Sequence, residues 1–169
     1  YYRIREGIAF NKTPLEYGAF PVDPYSHTPK HAGARQPGMT GQVKEEILTR
    51  FIEMGARVHD GGITIDPSLL RRREFAEEAR TYCYLDVDKS WQSLDLPPSS
   101  LAFTWCQLPF VYILDDSAEP GVEIELDDGK AERFTSATLA DDLSAHVFER
   151  TGRIRKVTVR LPTDTLFGD

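Results

Sequence analysis

The sequence predicts a mainly β protein: an antiparallel β-sandwich with one amphipathic helix and a long N-terminal loop. Three observations lead there. Short runs of apolar residues, many alternating with polar ones, recur from residue 56 to the end with turn signals between them. Helical periodicity is clear over one stretch, VKEEILTRFIEMG. No helices alternate with the strands, which favours an antiparallel sandwich. The domain division that follows is an arm, loop and helix over 1–55 and a sandwich over 56–169.

The composition narrows the function classes. A chain of 169 residues is long enough to bury a sizeable core. Its 9 Phe, 7 Tyr and 2 Trp fit an ordered globular protein. A net charge of −7 argues against a nucleic-acid binder, which needs a basic face for phosphates. No apolar run reaches the roughly 18 residues that would span a bilayer, so no membrane partner is expected. The chain opens at Tyr1-Tyr2-Arg3 in what reads as mid-element. The expectation is part of a longer, bacterial-type protein of cytoplasmic location. Cys83 and Cys106 lie in largely apolar runs and read as two buried free thiols, with a disulfide between neighbouring strands as the alternative.

Taken in order, residues 1–11 alternate weakly through Ile4, Ile8 and Phe10, as a strand or extended arm would. Residues 15–41 exclude regular structure, because Pro21, Pro24, Pro29 and Pro37 each remove a backbone donor. A loop of this length in a compact protein is usually functional or disordered. Tyr17, Phe20 and Tyr25 favour order. Thr40 suits an N-cap. Val43, Ile47, Leu48, Phe51 and Ile52 then form one apolar stripe, with Lys44, Glu45, Thr49, Arg50 and Glu53 opposite and Gly55 as the C-terminal stop. Asp60-Gly61-Gly62 signals a hairpin. Arg71-Arg72-Arg73-Glu74 reads as a solvated surface or, alternatively, an anion site. Strands are expected over 81–87, 91–96, 101–106, 108–114, 122–127, 130–134 and 157–161. Pro109 argues against a central place for the 108–114 strand. Residues 138–150 fit either a helix or a strand.

Candidate chemistry concentrates in the loop. Asp23, Tyr25 and His27 alternate along DPYSH, so an extended backbone puts them on one side, facing a polyhydroxylated ligand. The alternative is that they tie the loop down through bonds to its own backbone. Gly38-Met39-Thr40-Gly41-Gln42 opens the helix, where free N–H groups suit a phosphate or carboxylate. Arg35 and Gln42 flank that end. Ordinary capping by Thr40 is the competing reading. His27 and His31 have no third ligand at a fixed spacing, so no metal and no cofactor are expected. His59 and His146 read as sheet or surface residues. A serine or cysteine nucleophile pattern is absent, and Asp23 is the single carboxylate in the loop suited to glycoside cleavage, which needs two.

A Pro/Gly-rich polar loop, then a helix, then GGITIDPSLL, then a strand-rich tail with the hairpin VEIELDDGKAERF resembles a known architecture. It looks like the end of an (α/α)6-barrel glycoside hydrolase or phosphorylase passing into its C-terminal β-sandwich. Ile65-Asp66-Pro67-Ser68-Leu69 matches the strand that follows the last barrel helix there. The resemblance implies carbohydrate chemistry in a parent chain whose N-terminal helical barrel is this region's partner. Asp23, Tyr25, His27, Arg35 and Gln42 would then contact carbohydrate or phosphate. It places no catalytic carboxylate on this chain, which is expected to be inactive alone. A self-standing carbohydrate-binding or protein-interaction sandwich is the alternative, and a small independent enzyme using Asp23 and His27 a third reading.

Overall fold

The structure, a computed structural model, describes residues 48–168. The expected arm, the loop and the Thr40 cap lie outside the described residues. All but Leu48 of the described residues belong to one compact unit, Thr49–Asp169.

This unit is mainly β, as the alternation predicts. A helix α1, described over 48–54, leads into strands β1 (Ala56–His59) and β2 (Gly62–Ile65). There follow β3 (Arg80–Leu85), β4 (Trp91–Leu96), β5 (Ser100–Trp105), β6 (Leu108–Leu114), β7 (Gly121–Leu126) and β8 (Ala131–Phe134). Helix α2 (Asp141–Phe148) and strand β9 (Ile154–Leu161) complete the order. β1–β2 and β3–β4 are two-stranded hairpins, and the other five strands form one sheet in the order β5-β6-β9-β7-β8.

One pairing departs from the antiparallel expectation. β9 lies between β6 and β7, parallel to β6 and antiparallel to β7. A parallel neighbour needs a long crossover. The ambiguous 138–150 stretch supplies it by forming α2. Asp141 and Asp142 in its first turn suit the helix dipole, and Leu143 and Val147 bury one stripe. Pro109 does not keep β6 at the edge. It pairs with Thr104, one residue before the β9 ladder begins at Phe110, so its missing N–H removes no bond from that ladder.

The core lies on one face of the sheet. Phe110 and Tyr112, Val157 and Val159, and Val122 and Ile124 point into it, joined by Ile63 and Ile65 of β2 and Leu143 and Val147 of α2. The Ser144 hydroxyl accepts from the Ile63 N–H at 3.0 Å, fastening helix to hairpin. The alternation of Phe103 and Trp105 with the smaller Ala102, Thr104 and Cys106 predicts that both rings are fully buried, but both are half-buried. β5 is the edge strand, so its large side chains are covered from fewer directions. Phe103 stacks on Phe110 at 5.4 Å and meets Tyr112 edge-on at 5.3 Å. Phe103→Ala should therefore cost about 2–3 kcal/mol, below the upper range for a fully enclosed ring. A urea midpoint measurement checks this, and an unchanged midpoint would remove Phe103 from the core.

Two further expectations are corrected. Cys83 and Cys106 are free thiols, but Cys83 is exposed and Cys106 half-buried. Hairpin β3–β4 is covered on one side only. Tyr82 and Leu94 take that side, and Cys83, opposite Ser93, takes the other. On α1 the stripe is rotated: Leu48 and Ile52 are 63% and 55% exposed, while Glu53 is fully buried. Glu53 enters with a cation beside it. The Arg50 guanidinium donates to Glu53 at 2.9 Å and to Glu74 at 2.5 Å, across to the short helical turn Arg72–Glu74. Burial alone would lower the Arg50 pKa, but its bonds to Glu53 and Glu74 outweigh that and raise it. Glu74 of the charge run is thus part of the body's framework, while Arg72 and Arg73 are solvated.

Candidate functional site

Three local irregularities of the chain converge on one cavity of about 160 Å³. It lies between hairpin β3–β4, through Tyr84, Asp86, Val87 and Gln92, and the sheet, through Gln107, Leu108, Pro109, Gly152, Ile154 and Arg155.

The first irregularity is the loop joining β3 to β4. Asp86 organises it: its Oδ1 accepts from the N–H groups of Asp88 and Ser90, both at 2.9 Å, and its Oδ2 accepts from the Gln92 amide at 2.8 Å. An aspartate folding a turn around its own carboxylate is the usual reason for Asp at that place. The Ser90 N–H and the Gln92 amide, with Asp88 and Arg155 adding, hold the Asp86 carboxyl below the ordinary carboxylate range. Both oxygens are engaged, so Asp86 shapes the rim and is not a free base.

The second is the turn Trp105-Cys106-Gln107-Leu108. A two-residue hairpin turn of type I′ has positive φ at both central positions, a geometry that Asn and Gly favour. Here Cys106 and Gln107 adopt it, at 50° and 65°. Residues without that preference carry local strain. The turn directs Gln107, whose amide nitrogen donates to the Asp86 carbonyl at 2.8 Å and ties the two sides of the cavity together.

The third is a bulge in β9. Glu125 pairs with Lys156 and Leu126 with Ile154, so Arg155 is the extra residue. A bulge re-aims a side chain that the ladder would otherwise fix. Arg155 lines the cavity, and its side chain makes no hydrogen bond or ion pair among the described residues. Its charge reaches Tyr84. Burial pushes the Tyr84 phenol up, Asp86 adds to the rise and Arg155 opposes it. Gly152 adopts φ 74°, a conformation that favours glycine, beside the methyl group of Val87.

The residues expected from sequence to contact ligand, Asp23, Tyr25, His27, Arg35 and Gln42, all lie outside the described residues. So do His31 and the Gly38–Gln42 helix end. His59 is exposed beside Asp60, and the His146 ring faces Thr151 at 3.1 Å on α2. Among the described residues no three His, Cys, Asp or Glu side chains gather as a metal site would need. No described helix is long and apolar enough to cross a membrane. No protein-family model and no curated protein matches this chain.

The cavity residues were partly legible. The expected strands over 101–106 and 108–114 leave only Gln107 between them, which marks a tight turn there without indicating its positive-φ geometry. The alternation of Tyr82 and Tyr84 with Cys83 likewise places both rings on one side. The bulge at Arg155 leaves no mark in the sequence.

Proposed function

We propose that the β body is the structural C-terminal region of a carbohydrate-active enzyme of the (α/α)6-barrel class. In that role the segment from Asp23 to Gln42 supplies contacts to sugar or phosphate, and the parent's helical barrel is the partner of this body. The observation that supports this reading is the mounting of α1. Its inner side is locked: Glu53 is buried beside Arg50, and the buried Tyr112 hydroxyl donates to the Met54 carbonyl at 2.6 Å. That bond satisfies one of the carbonyls a helix end leaves without a partner. The outer side carries Leu48 and Ile52, both exposed. A helix held rigidly with aliphatic groups turned outward fits a seat for a further helical layer.

The experiment uses the full parent chain and a panel of aryl glycosides, with and without phosphate. His27→Ala and Arg35→Ala in the parent should each lower kcat/KM by about tenfold or more. This chain alone should show no turnover. Unchanged kinetics in both variants would reduce the loop to a brace. Turnover by the chain alone that vanishes in Asp23→Asn would make it an independent enzyme.

One observation favours a second reading, a self-standing carbohydrate-binding or interaction module. Trp91, 76% exposed, stands opposite Leu85 on the open side of β3–β4. Sugar binding by this chain that is lost in Trp91→Ala would support it over the first.

A further inference from the structure

We propose that the cavity between hairpin β3–β4 and the β9 bulge binds a small hydroxycarboxylate, its carboxylate held by Arg155 and the Tyr84 hydroxyl. This does not rest on the reading above, because every residue concerned lies in the β body.

The size sets the class of ligand. The cavity of about 160 Å³ has room for a compact molecule of a few carbons. The lining divides by chemistry. Val87 gives the cavity an apolar contact, above a floor formed by the buried Leu108, Pro109 and Ile154.

The polar groups specify the rest. Arg155 brings five N–H donors in a planar fork, the geometry that matches a carboxylate. Neither its guanidinium nor the Tyr84 hydroxyl has a hydrogen-bond partner among the described residues, so both are open to a ligand. Gln92 and Gln107 spend their amide nitrogens on Asp86, which leaves their carbonyl oxygens as acceptors for a ligand hydroxyl. The charge balance favours a monoanion. Asp86, ionised on the same rim, offsets part of the Arg155 field and disfavours a dianion such as sulfate. With both Asp86 oxygens filled by backbone and amide donors, a cation has no carboxylate to take.

The test is a titration of this chain with lactate, followed by amide NMR shifts, with sulfate at matched ionic strength as the comparison. Lactate should shift the amides of Tyr84, Gln107, Gly152 and Arg155 in a saturable way, with a millimolar Kd. Arg155→Gln should weaken binding by about tenfold or more, the loss of one charge-assisted contact, with the melting midpoint unchanged because Arg155 is exposed. Tyr84→Phe should weaken it several-fold and keep the ring. The proposal is overturned if lactate produces no saturable shift, if Arg155→Gln binds as tightly as the wild type, or if sulfate binds at least as well as lactate.

Discussion

Gly55→Ala is expected to destabilise the β body by about 4 kcal/mol or more, the largest effect of any single methyl group added to it. Gly55 has φ 72°, where an L-residue costs about 1–2 kcal/mol. That is the smaller part. A Cβ built there would sit 2.1 Å from the carbonyl carbon and oxygen of Asp66 and 2.4 Å from the Pro67 nitrogen. These are backbone atoms, so no side chain can swing aside. The contact is also a hydrogen-bonded joint: the Asp66 N–H donates to the Gly55 carbonyl at 2.8 Å, where α1 turns into β1 and β2 comes back. Separating the strands to admit a methyl would break that bond and lift Ile65 from the core. Gly129→Ala isolates the conformational part, since Gly129 has φ 80° and open space around it. It should cost only about 1 kcal/mol. Urea denaturation of the two variants side by side decides the matter. Equal losses would mean that the close approach to Asp66 is not a constraint.

The same joint shows what sequence can and cannot reveal. Gly55 is legible as a helix stop because a glycine follows a periodic run, but the sequence does not indicate that a second strand presses against it. The hairpins at Asp60-Gly61 and Asp128-Gly129 are legible because their turn residues match the geometry required. The β7 alternation of Val122, Ile124 and Leu126 with glutamates is legible because one side of that strand faces the core. The place of β9 is not. Its apolar residues fit the centre of a sheet, but the parallel partner is chosen by α2, and the run from Thr138 to Arg150 satisfies two periodicities at once. Cys83 is misjudged for a related reason: an apolar strand side is read as buried, and among the described residues no second layer covers that side of hairpin β3–β4. The candidate site was hardest to foresee, because Arg155 owes its position to a register shift and Gln107 to a strained turn. The loop residues from Asp23 to Gln42 carry the denser chemical signal in the sequence, and they lie outside the described residues.

Arg50→Ala should cost about 3–5 kcal/mol, because it strips the cation from a carboxylate that cannot reach water. Glu53 is fully buried, and Arg50 stands between it and Glu74, bonded to both. Glu74 is fixed in turn by the Arg71 N–H, which donates to its other oxygen at 3.1 Å. The three charged side chains therefore join α1 to the turn before β3, and removing the central one affects both ends. The loss measures a stranded charge rather than the net worth of the ion pair, and a second variant separates the two. Arg50→Met combined with Glu53→Leu removes both charges while keeping volume. It should recover most of the stability and could exceed the wild type by about 1 kcal/mol or more, as apolar replacements of buried pairs do. Arg57→Ala supplies the scale for an ordinary pair. Arg57 meets Asp66 at 2.9 Å on the surface, where such contacts contribute at most about 1 kcal/mol. Urea midpoints at constant ionic strength give all three values. The network governs the seating of α1 if Arg50→Ala loses several times more than Arg57→Ala and the double replacement restores it. A loss no larger than that of Arg57→Ala would mean that Glu53 is satisfied without Arg50, and that the network does not govern the seating of α1.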